Sequence, residues 1–377
     1  GVQTCALPIF AVFAGVLAFQ HTISIDTITD FQIQLLGWGT TAGIVIQALI
    51  LIPVVKRSGI KIRPKWGVAG LGKSFSLAGW TLVYVLISQL GYLITVNVAT
   101  TAAVESAKAG ITTGVGFTPF KNAYLIMLLP YSIVTISIVT ALLPHISKLA
   151  INKKIEDVKG QLLRAIKTVG VLTIPSSVAF LLFGPLITEV LFFSIDKNDS
   201  IYVGYVLSAL SLGLVAFSIN LVLIRGFNAF EDTRTQVRSI LIINIISVAL
   251  SYLFLAVLPS KWVTVGLGIA FSVSYLVGLF ITLHLLKKHT GPIYIREFIG
   301  QHGRLLVASL IAMLPIFAIS QIFGWVGSDA SVAIRGAELL FVIVAGTLGY
   351  FFAAKALRIT EVSGITALIL RRNKDAE

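Results

Sequence analysis

Long apolar runs separated by short polar connections dominate this chain. Nine runs have the roughly 20 mostly apolar residues that an α-helix needs to cross a bilayer. They cover residues 35–55, 77–99, 120–143, 167–185, 202–224, 239–257, 263–286, 305–325 and 336–357. A tenth run, FAVFAGVLAF at 10–19, is too short to cross and is interpreted as the end of a truncated span. The pattern predicts an all-α polytopic membrane protein.

Basic residues alternate between the two sides of these spans. Of the 29 lysines and arginines, 24 fall in every second connection and in the C-terminal tail. The other connections hold only Lys108, Lys121, Lys197, Lys261 and Arg335. Because cytoplasmic loops carry the excess of basic residues, the 24-residue side is predicted to be cytoplasmic, together with the C-terminus. The location expected is the bacterial cytoplasmic membrane.

Composition agrees with this class. Hydrophobic residues make up 56% of the chain and charged residues 12%, with a mean hydropathy of +0.95, whereas soluble domains carry about 25% charged residues. The net charge of +13 arises from the lysines and arginines of the predicted cytoplasmic connections. We therefore expect membrane lipids as neighbours and no nucleic-acid partner.

One cytoplasmic connection contains helical periodicity of its own. Ile151, Ile155, Val158, Leu162 and Ile166 recur at helical spacing with charged residues between them. This predicts an amphipathic helix over about 148–166, which either lies on the cytoplasmic leaflet or caps the helix bundle.

Motifs for catalysis or metal binding are missing from the sequence. No carboxylate falls in the middle of a predicted span, and the chain has no HExxH, GxSxG or Walker A motif. The five histidines lie at span ends or in loops without paired-ligand spacing. We therefore expect no enzyme activity, no cofactor and no metal site.

Uncharged polar residues inside the spans remain as candidates for function. Gln89 and Asn97 occupy one helix face, and Asn122 and Tyr124 lie in the next span. Such residues form interhelical hydrogen bonds, or together they line a hydrated cavity. Pro130, which interrupts its span, fits the broken helices of alternating-access transporters.

The first nine residues, GVQTCALPI, do not read as a secretion signal, because no initiator Met and no basic segment precede the apolar run. They resemble the translation of a common sequencing adapter. We expect residues 1–9 to be an artefact, which would make the chain an N-terminally truncated fragment and Cys5 uninformative.

Three stretches of the sequence go beyond composition, namely NAYLIMLLPYSIVTISIVTALLPHIS at 122–147, TIPSSVAFLLFGPLITEVLFF at 173–193 and RGFNAFEDTRTQ at 225–236. They resemble the MurJ/MviN family of lipid II flippases in the form seen in actinobacteria. They follow in the order and spacing of that family's eighth helix, ninth helix and tenth-to-eleventh loop. The resemblance covers about residues 10–360.

The resemblance implies a fourteen-helix fold of two six-helix lobes and two terminal helices, within the MOP exporter superfamily. This chain would then hold roughly helices 5–14. The implied domains are 10–57 for the end of the N-terminal lobe, 58–76 for a cytoplasmic connector, 77–290 for the C-terminal lobe, 291–358 for helices 13 and 14, and 359–377 for a cytoplasmic tail.

The implied function is alternating-access export of lipid II, the undecaprenyl-pyrophosphate-linked disaccharide-pentapeptide, for cell wall synthesis. Arginine and lysine bind its pyrophosphate well. Where relatives carry a cavity arginine, this chain has Leu125. Lys121, one turn earlier, could supply the cation, although we favour its snorkelling to the membrane surface.

The loop motif supplies candidates for a cytoplasmic gate. Asn228 and Asp232 lie four residues apart, flanked by Arg225 and Arg234. Either these residues receive the anionic headgroup, or the loop is an ordinary basic connection in which Asp232 caps the next helix.

Two other functions stay open. One is a multidrug or polysaccharide exporter of the same superfamily. The other is a non-transporting scaffold that recruits cell-wall synthesis enzymes, because Leu125 replaces a cavity arginine. The fragment alone should not transport, since the family's cavity lies between two lobes.

Overall fold

A computed structural model describes residues 29–57, 71–327 and 330–359. Every regular element in these ranges is helical, which confirms the all-α class. The helices are α1 (Asp30–Arg57), α2 (Leu71–Lys108), α3 (Phe117–Pro130), a π-helical turn (Tyr131–Thr135), α4 (Ile136–Ile151), α5 (Ile155–Leu191), α6 (Lys197–Ala229), α7 (Thr233–Val257), α8 (Ser260–Thr290), α9 (Arg296–Ile322) and α10 (Val332–Ala356).

The chain divides into two compact units, Gly1–Leu71 and Gly72–Glu377. The described part of the first unit is essentially α1, which contains the predicted span 35–55 and exposes large apolar side chains such as Phe31 and Trp38. The short run at 10–19 and the nine residues before it lie outside the described residues. All packing and sites below belong to the second unit.

Eight helical segments in the described ranges are long and apolar enough to cross a membrane. They are Phe75–Lys108, Phe117–Ile151, Ile155–Leu191, Lys197–Ala229, Thr233–Val257, Ser260–Thr290, Arg296–Ile322 and Val332–Ala356. They overlap the second to ninth predicted spans. The protein is therefore a multi-pass membrane protein.

Helix α6 is the central element of the second unit, and small residues let its neighbours approach it closely. A Cβ added at Gly204 would lie 2.3 Å from the Cα of Pro185 in α5. On the side facing α8, a Cβ at Gly213 would lie 2.6 Å from the Cα of Ser272. Small residues at helix contacts are how membrane helices gain packing energy, because lipid supplies no hydrophobic drive between them.

Serine hydroxyls fasten the same crossings. Ser272 in α8 donates to the carbonyl of Ala209 at 2.7 Å, and Ser208 in α6 donates to the carbonyl of Phe180 at 3.0 Å. These are the interhelical hydrogen bonds expected of polar residues in spans. Together with the glycine contacts they hold α5, α6 and α8 as one packed group.

One membrane crossing is broken at a proline. Helix α3 ends at Pro130, five residues of π-helix follow, and α4 continues the same crossing. Proline cannot donate to the carbonyl four residues earlier and its ring clashes with it, and a π turn relieves both. Pro175 and Pro315, in contrast, lie inside helices that run on as α5 and α9.

The predicted amphipathic helix at 148–166 is wrong in its boundaries. The chain turns at 152–154, where Lys153 has a φ of 57°, and the helix that begins at Ile155 runs on through the span to Leu191. Val158, Leu162 and Ile166 have no exposed surface because they pack against the other helices of the bundle. Of the two locations considered, the contacts therefore favour the one on the bundle.

Helices α9 and α10 form a pair that packs on α5. Their shared core includes Leu305 and Ala354, and the Tyr350 hydroxyl donates to the carbonyl of Val171 at 2.8 Å. Arg335 adds an ion pair, with its Nη1 3.5 Å from Oε1 of the buried Glu189.

Candidate functional site

A cavity of about 280 Å³ lies among α2, α3, α7 and α8. Its wall combines amide, hydroxyl and aromatic side chains that come from four different helices. The polar and aromatic lining residues are Ser88, Gln89, Tyr92, Thr95, Phe120, Lys121, Tyr124, Asn244, Ser247, Ser251, Phe271, Ser274 and Tyr275. Three of the five predicted cavity residues, Gln89, Lys121 and Tyr124, are brought together here.

Lys121 is the charged residue in the lining of this cavity, as far as the described residues show. Its Nζ lies 5.9 Å from the ring centroids of both Tyr92 and Tyr124. Two ring faces at this distance attract a cation. The ammonium group therefore lies beside the aromatic lining of the cavity, and its snorkelling to the membrane surface stays a prediction.

Aromatic rings continue from Lys121 along the cavity wall. Tyr124 is stacked on Phe120 at 6.4 Å and meets Phe271 edge-on at 5.8 Å. Phe271 in turn lies 5.5 Å from Phe217 and 4.7 Å from Tyr275. Contacts at these distances are favourable ring pairs, and they give the cavity a rigid aromatic side.

A second cavity of about 190 Å³ continues the first toward the end of α6. The two share Ile240, Ile243 and Tyr275 in their linings. Tyr84 and Tyr131 line the second cavity, and Tyr131 comes from the π turn. Its ring lies 4.7 Å from that of Phe217, so the broken crossing contributes directly to the wall.

Arg225 directly follows Ile224, which lines this second cavity, but it is not itself part of the lining. It interacts electrostatically with Tyr84 and Tyr131. Its Nε is buried and has no hydrogen-bond partner among the described residues. A buried guanidinium N–H without a partner costs free energy.

A buried hydrogen-bond network lies beside the same cavity. Thr282 donates to the Oδ1 of Asn220 at 2.7 Å, and its hydroxyl lies 2.6 Å from that of Ser239. The Asn220 amide donates to the carbonyls of Ala216 and Tyr275, both at 3.1 Å. The network connects α6, α7 and α8 and fixes two residues of the cavity lining, Asn220 and Ser239.

Comparison with known protein families identifies the family of this chain. A family model described as lipid II flippase MurJ matches residues 8–333. The chain belongs to the MurJ family.

Individual relatives agree with this assignment. The probable lipid II flippase MurJ of Rhizobium meliloti is 26% identical over 347 residues, which is 90% of this chain and 60% of that protein. The lipid II flippase MurJ of Burkholderia cenocepacia is 24% identical over 356 residues, which is 93% of this chain and 67% of that protein. The chain thus spans about 60% to 67% of the length of these relatives.

A solved structure shares the fold. Lipid II flippase MurJ in an inward closed conformation superposes with a TM-score of 0.60 at 20% identity, covering 87% of this chain and 63% of that one. The resemblance found in the three sequence motifs is confirmed at the level of the family and the fold.

Two predicted cavity residues lie outside both linings. Asn97 is two turns beyond Gln89 on α2 and is exposed, and Asn122 is half-buried beside Lys121. The α2 residues that line the larger cavity are Ser88, Gln89, Gly91, Tyr92 and Thr95. The contribution of α2 to this lining ends at Thr95, before Asn97.

The MurJ loop motif forms a helix cap. The Asp232 carboxylate accepts hydrogen bonds from the Thr235 N–H at 3.0 Å and the Thr235 hydroxyl at 2.7 Å, and its Oδ2 lies 2.7 Å from Nε2 of His289 in α8. Burial alone would raise the pKa of Asp232, but the hydrogen bonds from Thr235 and His289 outweigh it and lower this pKa below its usual value. The cap interpretation of Asp232 is correct.

The four predicted gate residues do not form one cluster. Helix α6 ends at Ala229 and Glu231 is left-handed with φ 55°, so Asn228 and Asp232 leave the shared face expected from their spacing. Asn228 lines a shallow depression with Ser147 and Ile151.

The two arginines of the motif have different surroundings. The Arg234 guanidinium lies 5.5 Å from the Trp80 ring centroid, while Arg225 interacts electrostatically with Tyr84 and Tyr131 of the second cavity lining. The two cavity linings include none of the four predicted gate residues.

Sequence reasoning missed several lining residues, namely Tyr84, Tyr131, Phe217, Asn220, Ser239, Phe271 and Tyr275. A usable signal existed for the tyrosines. Tyrosines in membrane helices are enriched at the membrane surface, whereas Tyr84, Tyr131 and Tyr275 lie well inside predicted spans. In the described ranges no group of three or more histidine, cysteine, aspartate or glutamate residues is placed to hold a metal ion.

Proposed function

We propose that this protein moves lipid II across the cytoplasmic membrane and that the two connected cavities form part of the surface that faces the lipid II headgroup. The family assignment supports this function. The observation that carries the proposal is the composition of the cavity walls, in which Lys121 stands among uncharged polar and aromatic side chains. Arg225 adds a second cation that interacts electrostatically with two lining residues of the smaller cavity, Tyr84 and Tyr131.

Each part of this wall suits one part of lipid II. Lysine and arginine pair with the oxygens of the pyrophosphate. Aromatic faces such as those of Tyr124 and Phe271 offer flat apolar surfaces to the sugars, while Gln89, Asn244 and Ser247 offer hydrogen-bond donors and acceptors. The lipid tail stays in the bilayer, so the cavity needs to enclose the headgroup alone. Transport of this kind requires no covalent step, and we assign no enzyme activity.

Lys121 also answers the strongest argument for a non-transporting scaffold. That argument rested on Leu125, which is exposed and carries no charge. In this proposal Lys121, one turn earlier and in the lining of the larger cavity, supplies the cation that this position lacks. The same domain map applies as inferred from the sequence, with 77–290 as the C-terminal lobe, 291–358 as the terminal pair and the C-terminus in the cytoplasm.

Binding of lipid II to the purified chain in nanodiscs tests the proposal. We expect Lys121→Met and Arg225→Met each to weaken binding about tenfold or more, because each removes a charge-assisted hydrogen bond in a poorly hydrated site. Lys108→Met is the matched control, since Lys108 is exposed and paired with Glu105 at 2.9 Å. Wild-type affinity in both cavity variants would contradict the proposal.

A further inference from the structure

A separate pocket of about 250 Å³ lies where α5, α9 and α10 meet at one end of the bundle. None of its lining residues belongs to the lining of either cavity described above. Helix α5 contributes Lys167, the first turns of α9 contribute Arg296, Glu297, Gln301 and Arg304, and the segment after α10 contributes Arg358.

This pocket has a strong excess of positive charge. Four of its lining residues are lysine or arginine, and Glu297 is its one carboxylate. That carboxylate is already engaged, because its Oε1 accepts from the Tyr294 N–H at 3.0 Å and lies 3.4 Å from Nζ of Lys159. Within the described part of the chain, no carboxylate pairs with the four cations of the lining.

Arg358 is held over the pocket by the end of α10. The Ile359 N–H donates to the Ala354 carbonyl at 3.0 Å, and the Ile359 side chain is 4% exposed in the core shared with α5. This cap gives Arg358 a φ of 53°, a conformation in which glycine is preferred. An arginine at such a position adds charge where the backbone would favour a residue without a side chain.

The position of the pocket indicates the kind of ligand. It lies at the start of one membrane-spanning helix and the end of the next, which is the level of lipid headgroups. The same turns of α9 expose Ile299 and Leu306, and the last turns of α10 expose Phe352. An anionic group fits the pocket, and acyl chains attached to it have apolar helix surface to cover.

We propose that this pocket binds the headgroup of an anionic phospholipid, with Lys167, Arg304 and Arg358 directed at its phosphate. Basic pockets between membrane helices at the cytoplasmic side are suited to such headgroups, and arginine pairs with phosphate in a bidentate fashion. The bound lipid would fasten the α9–α10 pair to α5 at this end, where the described residues show no direct ion pair from Arg304 or Arg358.

Lipid retention measured by native mass spectrometry tests this site. The chain is reconstituted in nanodiscs of phosphatidylcholine with 30% phosphatidylglycerol and then released into detergent. The number of phosphatidylglycerol molecules bound to each chain is counted at increasing detergent concentration. We expect the wild type to retain phosphatidylglycerol in preference to phosphatidylcholine, and Arg358→Gly with Arg304→Gln to reduce this retention at least tenfold. Arg358→Gly relieves the positive φ, so that single variant should fold as well as the wild type.

Two controls make the result decisive. Lys287→Gln with Lys288→Gln removes the same charge from the exposed end of α8 and should leave retention unchanged. Equal loss in both double variants would show that general surface charge attracts the lipid, and would overturn the site. Displacement by millimolar inorganic phosphate would identify a free phosphate as the ligand, and would overturn the lipid assignment.

Discussion

At the scale of single residues, one carboxylate organises the loop between α6 and α7. Asp232 caps α7 through Thr235 and connects it to α8 through His289, and the His289 ring stacks on Phe230 at 4.9 Å. The family motif therefore has a structural role here that is independent of any contact with the headgroup. It fixes the turn that follows the end of α6, the helix that carries Arg225.

The lowered pKa of Asp232 gives this cap a defined pH dependence. A carboxylate with a depressed pKa in the folded state stabilises the protein fully above its unfolded-state pKa of about 4, and this stabilisation is lost as the pH falls through the folded-state value. We expect Asp232→Asn to lower the thermal midpoint at pH 7 and to change it little near pH 3. Thermal unfolding in detergent at both pH values measures this.

The contrast with alanine separates charge from capping. Asparagine is as good an N-cap as aspartate, while alanine loses the cap at a cost of about 1 kcal/mol. Asp232→Ala should therefore destabilise at both pH values. A deficit for Asp232→Asn that stays constant from pH 7 to pH 3 would contradict the stabilising role of the charged carboxylate.

At the scale of helices, the contact of α5 with α6 depends on the absence of side-chain atoms at Gly204. An added methyl group would meet the Pro185 backbone at 2.3 Å and 2.4 Å, which no side-chain rotation relieves. We expect Gly204→Ala to cost about 1–3 kcal/mol of stability through overpacking. The thermal midpoint of the purified protein is the measurement.

Gly160 in α5 is the matched control for this crossing. Nothing lies within 4 Å of a Cβ built there, so Gly160→Ala should raise stability by up to about 1 kcal/mol through helix propensity. Opposite signs for the two substitutions support close backbone packing at the crossing. Destabilisation of equal size by both would show that helix flexibility, and not packing, decides the effect.

The elements themselves were largely predictable, because crossing a bilayer requires about 20 apolar residues and such runs are visible in the sequence. The interruptions of the helices were harder to predict. Pro130, Pro175 and Pro315 are alike in sequence, yet only the first is followed by a π turn in the described residues. Likewise, helical spacing grouped Val158 with Ile151, but a left-handed Lys153 separates them.

The candidate site was partly predictable for the same reason. Polar residues in spans identified Gln89, Lys121 and Tyr124, which do line one cavity. Asn97 shares a helix face with Gln89 by spacing, yet it lies outside the two described linings, because where a lining ends depends on the neighbouring helices. Asn220 and Ser239 required the tertiary fold, because their roles arise from contacts with Thr282 in a third helix.

At the scale of the whole molecule, the second unit lines its cavities with polar and aromatic side chains and exposes large apolar side chains along its spans. This separation fits a transporter that passes a hydrophilic headgroup through a bundle and leaves its tail in lipid. Under the two proposals, Lys121 in the larger cavity and the cations of the pocket between α5, α9 and α10 would serve different ligands, one carried and one resident.

Photocrosslinking at Tyr124 tests the central claim most directly. A photoreactive aromatic residue is placed at Tyr124, in the cavity lining, or at Tyr252, which is exposed on α7 and lines neither cavity, and membranes containing labelled lipid II are irradiated. We predict a lipid II adduct at Tyr124 that excess unlabelled lipid II suppresses, and little or none at Tyr252. Equal labelling at both positions, or labelling at Tyr252 alone, would contradict the assignment of this cavity to the lipid II headgroup.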